Sequence, residues 1–392
     1  MSLFIQLAIL LAVILLAAKL AGYIAFRLGQ PSVLGELVMG ILLGPSLLNL
    51  LHLPAFNENL MTEILQLLGE IGVVFLLFVA GLELHLDELS RNMRTSALAG
   101  ILGVLFPFFL GIFTGLIFSM TMEESIFLGI ILGASSVSIS AQTLMELKQL
   151  KSRVGLSMLG AAVFDDILVI LMLSLFFALT SRSTTVFGLL LVFGRMVVFF
   201  TLSFAFGLWA LPYIIRKAHN LPISQNILTL AIVVLLVYAI SAELIGGMAA
   251  ITGAFLAGLM FARSPEKETL EPRIHALAYG FFVPIFFVNI GLNVNIFALR
   301  ENLLLGLAVI LAAIVGKFLG AGLGGGLAGL SRRESIQLGV GMLPRVEVSL
   351  IAASIGLRNG LVNAAESSAI VGMVIICSLI TPPLLRYLFH KP

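Results

Sequence analysis

Apolar runs of about 20 residues, each long enough to cross a hydrocarbon core about 30 Å thick, follow one another along almost the whole chain. Nothing else in the sequence narrows the choice of fold as far. A helix satisfies its own backbone groups in lipid, so the chain is expected to be an all-α membrane protein. Composition agrees: 60% of the 392 residues are hydrophobic and 11% charged, against roughly 25% charged in a soluble domain.

Breaking the runs at polar punctuation gives about 13 spans, over 3–26, 32–52, 64–84, 95–119, 125–147, 153–179, 186–215, 223–241, 244–262, 273–291, 302–328, 334–357 and 363–388. Loops on one side then hold about 15 basic residues, among them Arg27, Arg91, Arg94, Lys148, Lys151 and Arg153. The other side holds Arg182, Arg300 and Arg358. By the positive-inside rule the N-terminus lies outside and the C-terminus inside. The first 26 residues lack a basic leader and read as a retained helix, not a signal peptide. No soluble domain is expected after the last span. The net charge of +2 is scattered through loops and gives no reason to expect nucleic acid, and Cys377 is the sole cysteine, so no internal disulfide can form. The histidines His52, His85, His219, His275 and His390 are assigned to loops, and nothing in the sequence singles one out.

An ionised side chain inside a bilayer costs several kcal/mol and marks function by default. Lys19, Glu36, Glu70 and Arg195 have local structural explanations. Asp165 and Asp166, in AAVFDDILVI, lie mid-span. Adjacent helical residues point about 100° apart, so one carboxylate can face a partner helix while the other faces a water-filled cavity. Lys317, also near mid-span, can neutralise one of them. The carboxylate left over calls for a cation or a proton.

Two spans look interrupted. GASSVSISAQ (133–142) is rich in glycine and serine, and GVGMLPRVEVSL (339–350) carries Pro344 in mid-span, with Arg345 and Glu347 beside it. Proline removes a backbone donor, and broken helices at membrane depth line cavities or are buried in protein. Each break falls in the middle of a three-helix unit, 95–179 and 302–388, as in a transporter built from an inverted repeat.

These stretches, with QPSVLGELVMGILLGPS (30–46), EIGVVFLLFVAGLEL (70–84) and FFVPIFFVNIGLNVN (281–295), resemble the monovalent cation:proton antiporter-2 family over essentially the whole chain. The resemblance implies one transmembrane transporter domain over 1–392. It has a scaffold and dimer part (about 1–92 and 220–300), a linker helix (about 184–219) and an ion-transporting core (about 93–183 and 301–392). It also implies a homodimer working by an elevator movement in the cytoplasmic membrane. As in double-aspartate members, Asp166 would be the main ligand of the sodium site it shares with Asp165. Asp165 would pair with Lys317, Ser135 and Ser136 would help complete the shell, and Arg345, Glu347 and Pro344 would hold the second break. Asp-Asp, in place of Gln-Asp, and the absence of a nucleotide-binding domain separate the chain from glutathione-gated potassium efflux members.

The expected activity is exchange of Na⁺, with Li⁺ as a second ion, for H⁺. It needs no cofactor and involves no enzymatic step. Burial disfavours the charged form of a carboxylate, so a proton and a hard, oxygen-seeking cation compete for one acid. Only loaded or protonated forms cross, because a bare charge is too costly to move. Two acids with one lysine would make exchange electrogenic. Potassium/proton exchange is the nearest alternative, followed by a sodium-coupled solute symporter and a passive channel. An intramembrane aspartyl protease needs two carboxylates sharing a proton, a poor match to adjacent residues on one helix.

Overall fold

The computed structural model describes residues 1–84, 91–180, 186–219, 224–292, 303–346 and 360–390, together with 349, 352, 353 and 356. All regular structure among them is helical. Among the described residues ten helices are long and apolar enough to cross a membrane, and Ser32–Leu43 and Ala250–Phe261 are shorter apolar helices. Where the sequence suggests a span over 334–357, a ten-residue helix, Arg332–Gly341, is followed by residues that in part lie outside the described set. The chain is a multi-pass membrane protein.

By Cα proximity it divides into two compact units, one of Met1–Gly69, Asn92–Val169 and Pro284–Pro392, the other of Glu70–Arg91 and Ile170–Val283. The first unit contains α1 (Leu3–Arg27), α2 (Ser32–Leu43), the first part of α3 (Glu58–Leu82), whose remainder lies in the second, α4 (Met93–Ile117), α5 (Met122–Gly133) and α6 (Ser138–Glu146). It also takes the first part of α7 (Arg153–Thr180). The second unit contains α8 (Val186–Ala205), α9 (Leu211–His219), α10 (Asn226–Ser241), α11 (Ala250–Phe261) and α12 (Lys267–Leu277). Single π-turns, Phe206–Ala210 and Ala278–Phe282, follow α8 and α12 without ending the run of helix, whereas Ala242–Gly246 closes α10, with Gly247 beyond it at positive φ. The chain then returns to the first unit through α13 (Val283–Leu292), α14 (Leu303–Leu327), α15 (Arg332–Gly341) and α16 (Ala364–Phe389).

Between helices in lipid there is little hydrophobic drive, so small residues that let backbones approach closely carry the packing. α14 uses Gly316, Gly320 and Gly324 in this way: a Cβ on each would run into Pro107, Leu102 and Leu98 of α4, respectively. As one number rises the other falls, so α4 and α14 are antiparallel. The second unit closes on a reciprocal contact, with Gly81 of α3 against the Phe255 backbone of α11 and Gly258 of α11 against the Phe78 backbone of α3. Phe75 stacks on Phe282 nearby, ring centroids 5.0 Å apart.

The α4–α5 and α14–α15 pairs are two copies of one device. Both turns contain a residue at positive φ, Ser119 and Gly329. Both second helices start on a capping box: the Thr121 and Ser331 hydroxyls accept from the amides of Glu124 and Glu334, whose carboxylates accept in return from the amides of Thr121 and Ser331. Such boxes satisfy donors orphaned at a helix start. Gly129 then packs on Phe108, and Gly339 on Phe318. Every residue in the second copy stands 210 positions after its counterpart (121 to 331, 124 to 334, 129 to 339). The sequence carries the same signal as ESIFLG at 124–129 and ESIQLG at 334–339, a repeat that the hydropathy pattern alone does not disclose.

Candidate functional site

Both second helices of the repeat stop early, and their loose ends meet. α5 ends at Gly133, Ala134 is extended (φ −64°, ψ 140°) and α6 starts only at Ser138. α15 ends at Gly341, and 342–346 are non-helical, with Pro344 among them. A helix end leaves carbonyls without intrahelical donors and carries partial negative charge, which cations stabilise. Two buried cations fill that role for α5. Lys317 Nζ donates to Gly133 O at 2.9 Å. Arg345 donates from Nη1 to Ala134 O at 2.9 Å and from Nη2 to Ala313 O at 3.1 Å. Backbone and hydroxyl groups join the two breaks directly: Ser136 N donates to Pro344 O at 2.8 Å, and Ser140 Oγ to Gly341 O at 2.5 Å.

Asp165 reaches this junction from α7. Lys317 Nζ lies 2.9 Å from its Oδ1 and 2.7 Å from its Oδ2. The Ser135 hydroxyl also donates to Oδ2. An ammonium has three donors and no acceptor. Here they meet one carboxylate and one helix-end carbonyl, so the charge is partnered on every side the geometry provides. Neither member touches solvent, with 0% of Lys317 and 1% of Asp165 exposed. Asp166 is buried too, at 9% exposure, and its side chain leaves α7 about 100° from that of Asp165.

Of the residues the sequence singles out, Asp165, Lys317 and Ser135 share direct bonds. Arg345 and Pro344 join them through the Ala134 carbonyl and the Ser136 amide. The Ser136 hydroxyl lies 3.4 Å from that of Ser138. The Ser135 hydroxyl is on Asp165, not Asp166. Glu347 lies outside the described residues. Sequence reasoning missed Gly133 and Ala313, which contribute only backbone oxygens. It also missed Ser140, although that residue stands in the same serine-rich run. Three of the other intramembrane charges are settled locally: Lys19 Nζ is 3.8 Å from Glu36 Oε1, and Arg195 donates to Ile245 O and Leu244 O at 2.9 and 2.6 Å.

A buried ion pair on the joined ends of two interrupted helices defines a class of membrane protein that handles charge at the depth of its helices. The chain belongs to the sodium/hydrogen exchanger family, whose transmembrane region it matches over residues 12–390. It is 40% identical over 379 residues to the Na(+)/H(+)-K(+) antiporter GerN of Bacillus cereus, covering 97% of this chain and 95% of that protein. It is 35% identical over 383 residues to a Na(+)/H(+) antiporter of Enterococcus hirae, covering 97% and 98%. Among solved structures it resembles the sodium proton antiporter MjNhaP1 of Methanocaldococcus jannaschii, with a TM-score of 0.69 over 98% of this chain and 96% of that one. At 20% identity this likeness establishes a shared fold.

Proposed function

We propose that the chain is a secondary antiporter that exchanges Na⁺ for H⁺ across the cytoplasmic membrane, of the double-aspartate type in the monovalent cation:proton antiporter-2 family. The observation that carries this reading is the Asp165–Lys317 pair, buried against two helix breaks, with a second acid, Asp166, next to it in sequence. Asp166, buried beside that pair on the same helix, is the carboxylate at which a proton and the transported ion alternate. A cation needs oxygen ligands, and the Asp166 carboxylate offers them only when its proton has left. Competition at that carboxyl group couples the two fluxes.

Asp165 and Lys317 anchor the α5 break, and Ser135 and Ser136 lie beside it. Arg345 and Pro344 belong to the second break, and Arg345 ties it to the first through the Ala134 carbonyl. The antiparallel repeat supports about 13 spans with an outside N-terminus and inside C-terminus. Residues of about 93–183 and 301–392 then act as a core moving elevator-fashion against a scaffold of about 1–92 and 220–300, linked by 184–219. A homodimer and electrogenic exchange complete the proposal, with Li⁺ following Na⁺.

Potassium is the second reading, favoured by the likeness to the 40% identical GerN, a Na(+)/H(+)-K(+) antiporter. Proteoliposomes reporting internal pH decide between them: Na⁺, Li⁺ or K⁺ is added to the wild type and to Asp166→Asn. A pH change with Na⁺ that the variant lacks supports the proposal, and a response with K⁺ alone replaces sodium as substrate. Wild-type exchange in Asp166→Asn would end the site assignment.

A further inference from the structure

We propose that Glu83, Glu271 and His275 form a binding site for one divalent transition-metal ion of the Zn²⁺ class, sharing no residue with the Asp165–Lys317 junction and independent of the transport reading. Glu271 and His275 stand four residues apart on α12, hence on one face of the helix. Glu83 comes just after the last residue of α3, its amide still bonded to Val79 O at 3.0 Å. One ligand atom from each of the three side chains lies within 4.8 Å of the other two, and His275 Nε2 is 3.4 Å from Glu83 Oε1. Zinc bonds to nitrogen and carboxylate oxygen run about 2.0–2.2 Å, so ligands on one ion sit a little over 3 Å apart, and modest side-chain rotation reaches that arrangement.

Three further features suit a metal better than a plain surface ion pair. The His275 and Glu83 side chains are 33% and 20% exposed, so an ion can enter yet is partly desolvated once bound. Tyr279, one turn further along, stacks on the imidazole with centroids 5.1 Å apart and an interplanar angle of 28°, which limits the ring's freedom before any ion arrives. Glu271 forms no hydrogen bond or ion pair among the described residues. Arg273, the nearest basic residue in sequence, is held by Gln225 Oε1 at 2.9 Å.

The ligand set selects the ion. Imidazole favours zinc, copper and nickel, whereas magnesium and calcium seek oxygen alone. Two carboxylates supply the charge that a dication neutralises, and three protein ligands leave room for water in the remaining position. The bound ion would tie the end of α3 to α12, and a ligand that binds only the folded state raises its stability by mass action.

The test uses the untagged, full-length protein in detergent, stripped with a chelator and dialysed against Zn²⁺, with Mg²⁺ in a parallel arm. The site predicts one Zn²⁺ per chain, no competition from Mg²⁺, a Co²⁺ complex with the visible absorption of a low-coordinate site, and a thermal midpoint that rises with Zn²⁺. Glu271→Gln and His275→Gln each weaken binding by at least about tenfold, while Asp166→Asn leaves it unchanged. Size-exclusion profiles establish that the variants are folded, and the isosteric Glu271→Gln alone suffices if His275→Gln is not. Absence of stoichiometric Zn²⁺ binding in the wild type overturns the proposal, as does wild-type affinity in Glu271→Gln.

Discussion

Lys317 holds Asp165 with its ammonium 2.7 Å from Oδ2, in a place where neither side chain is more than 1% exposed. Removing one partner of a buried pair leaves an uncompensated charge and costs about 3–5 kcal/mol, whereas replacing both together can be nearly neutral. Lys317→Ala is therefore expected to lower the thermal midpoint in detergent markedly. The double replacement Asp165→Asn with Lys317→Gln should recover much of that loss. A double variant no more stable than Lys317→Ala would show that the pair is not the source of the effect.

Arg345 is expected to tolerate no simple substitute, because one flat guanidinium joins Ala134 O to Ala313 O at 2.9 and 3.1 Å. Lysine keeps the charge but lacks the fixed fork. Losing one charged hydrogen bond is worth about 1.5–3 kcal/mol. Arg345→Lys should lower the thermal midpoint accordingly and slow cation-dependent proton movement in proteoliposomes. Unchanged stability and rate would contradict the bridging role.

Close approach of α14 to α4 depends on the absence of a side chain at Gly320, where a Cβ would meet the Leu102 carbonyl. Overpacking typically costs about 1–3 kcal/mol. Gly320→Leu is expected to destabilise by that order and, by displacing Lys317 three residues away, to reduce exchange. Gly194, where an added Cβ would meet nothing within 4 Å outside its own helix, serves as the control: Gly194→Ala should change the thermal midpoint little.

Two acids served by one lysine predict that exchange responds to voltage. Clamping the potential of proteoliposomes with valinomycin at several values should change the rate of sodium-driven proton movement. A rate indifferent to potential would leave an electroneutral one-for-one exchange.

The apolar runs could be read from the sequence because lipid leaves a helix few alternatives. Asp165, Asp166 and Lys317 stood out because a charge in such a run is costly. Pro344 and the serine-rich run marked the breaks for the same reason, being residues that interrupt helices. The junction was less legible. Gly133, Ala134 and Ala313 act through backbone oxygens, which side-chain chemistry does not advertise, and nothing in the sequence assigns the Ser135 hydroxyl to Asp165. The ESIFLG and ESIQLG repeat was visible at an offset of 210 but is short, and the hydropathy of the two copies is too ordinary to draw attention to it. His275 could not be set apart from the other histidines, since Glu83 stands almost 200 residues before it and only the fold puts them side by side.

The central claim is that a proton and an alkali ion exclude one another from Asp166. Its most direct test is proton release on ion binding: purified protein in weakly buffered detergent, a pH-sensitive dye, and additions of Na⁺ matched in ionic strength by choline. The account predicts protons released by Na⁺ in the wild type and none in Asp166→Asn. Equal release from both proteins, or none from the wild type, would contradict it.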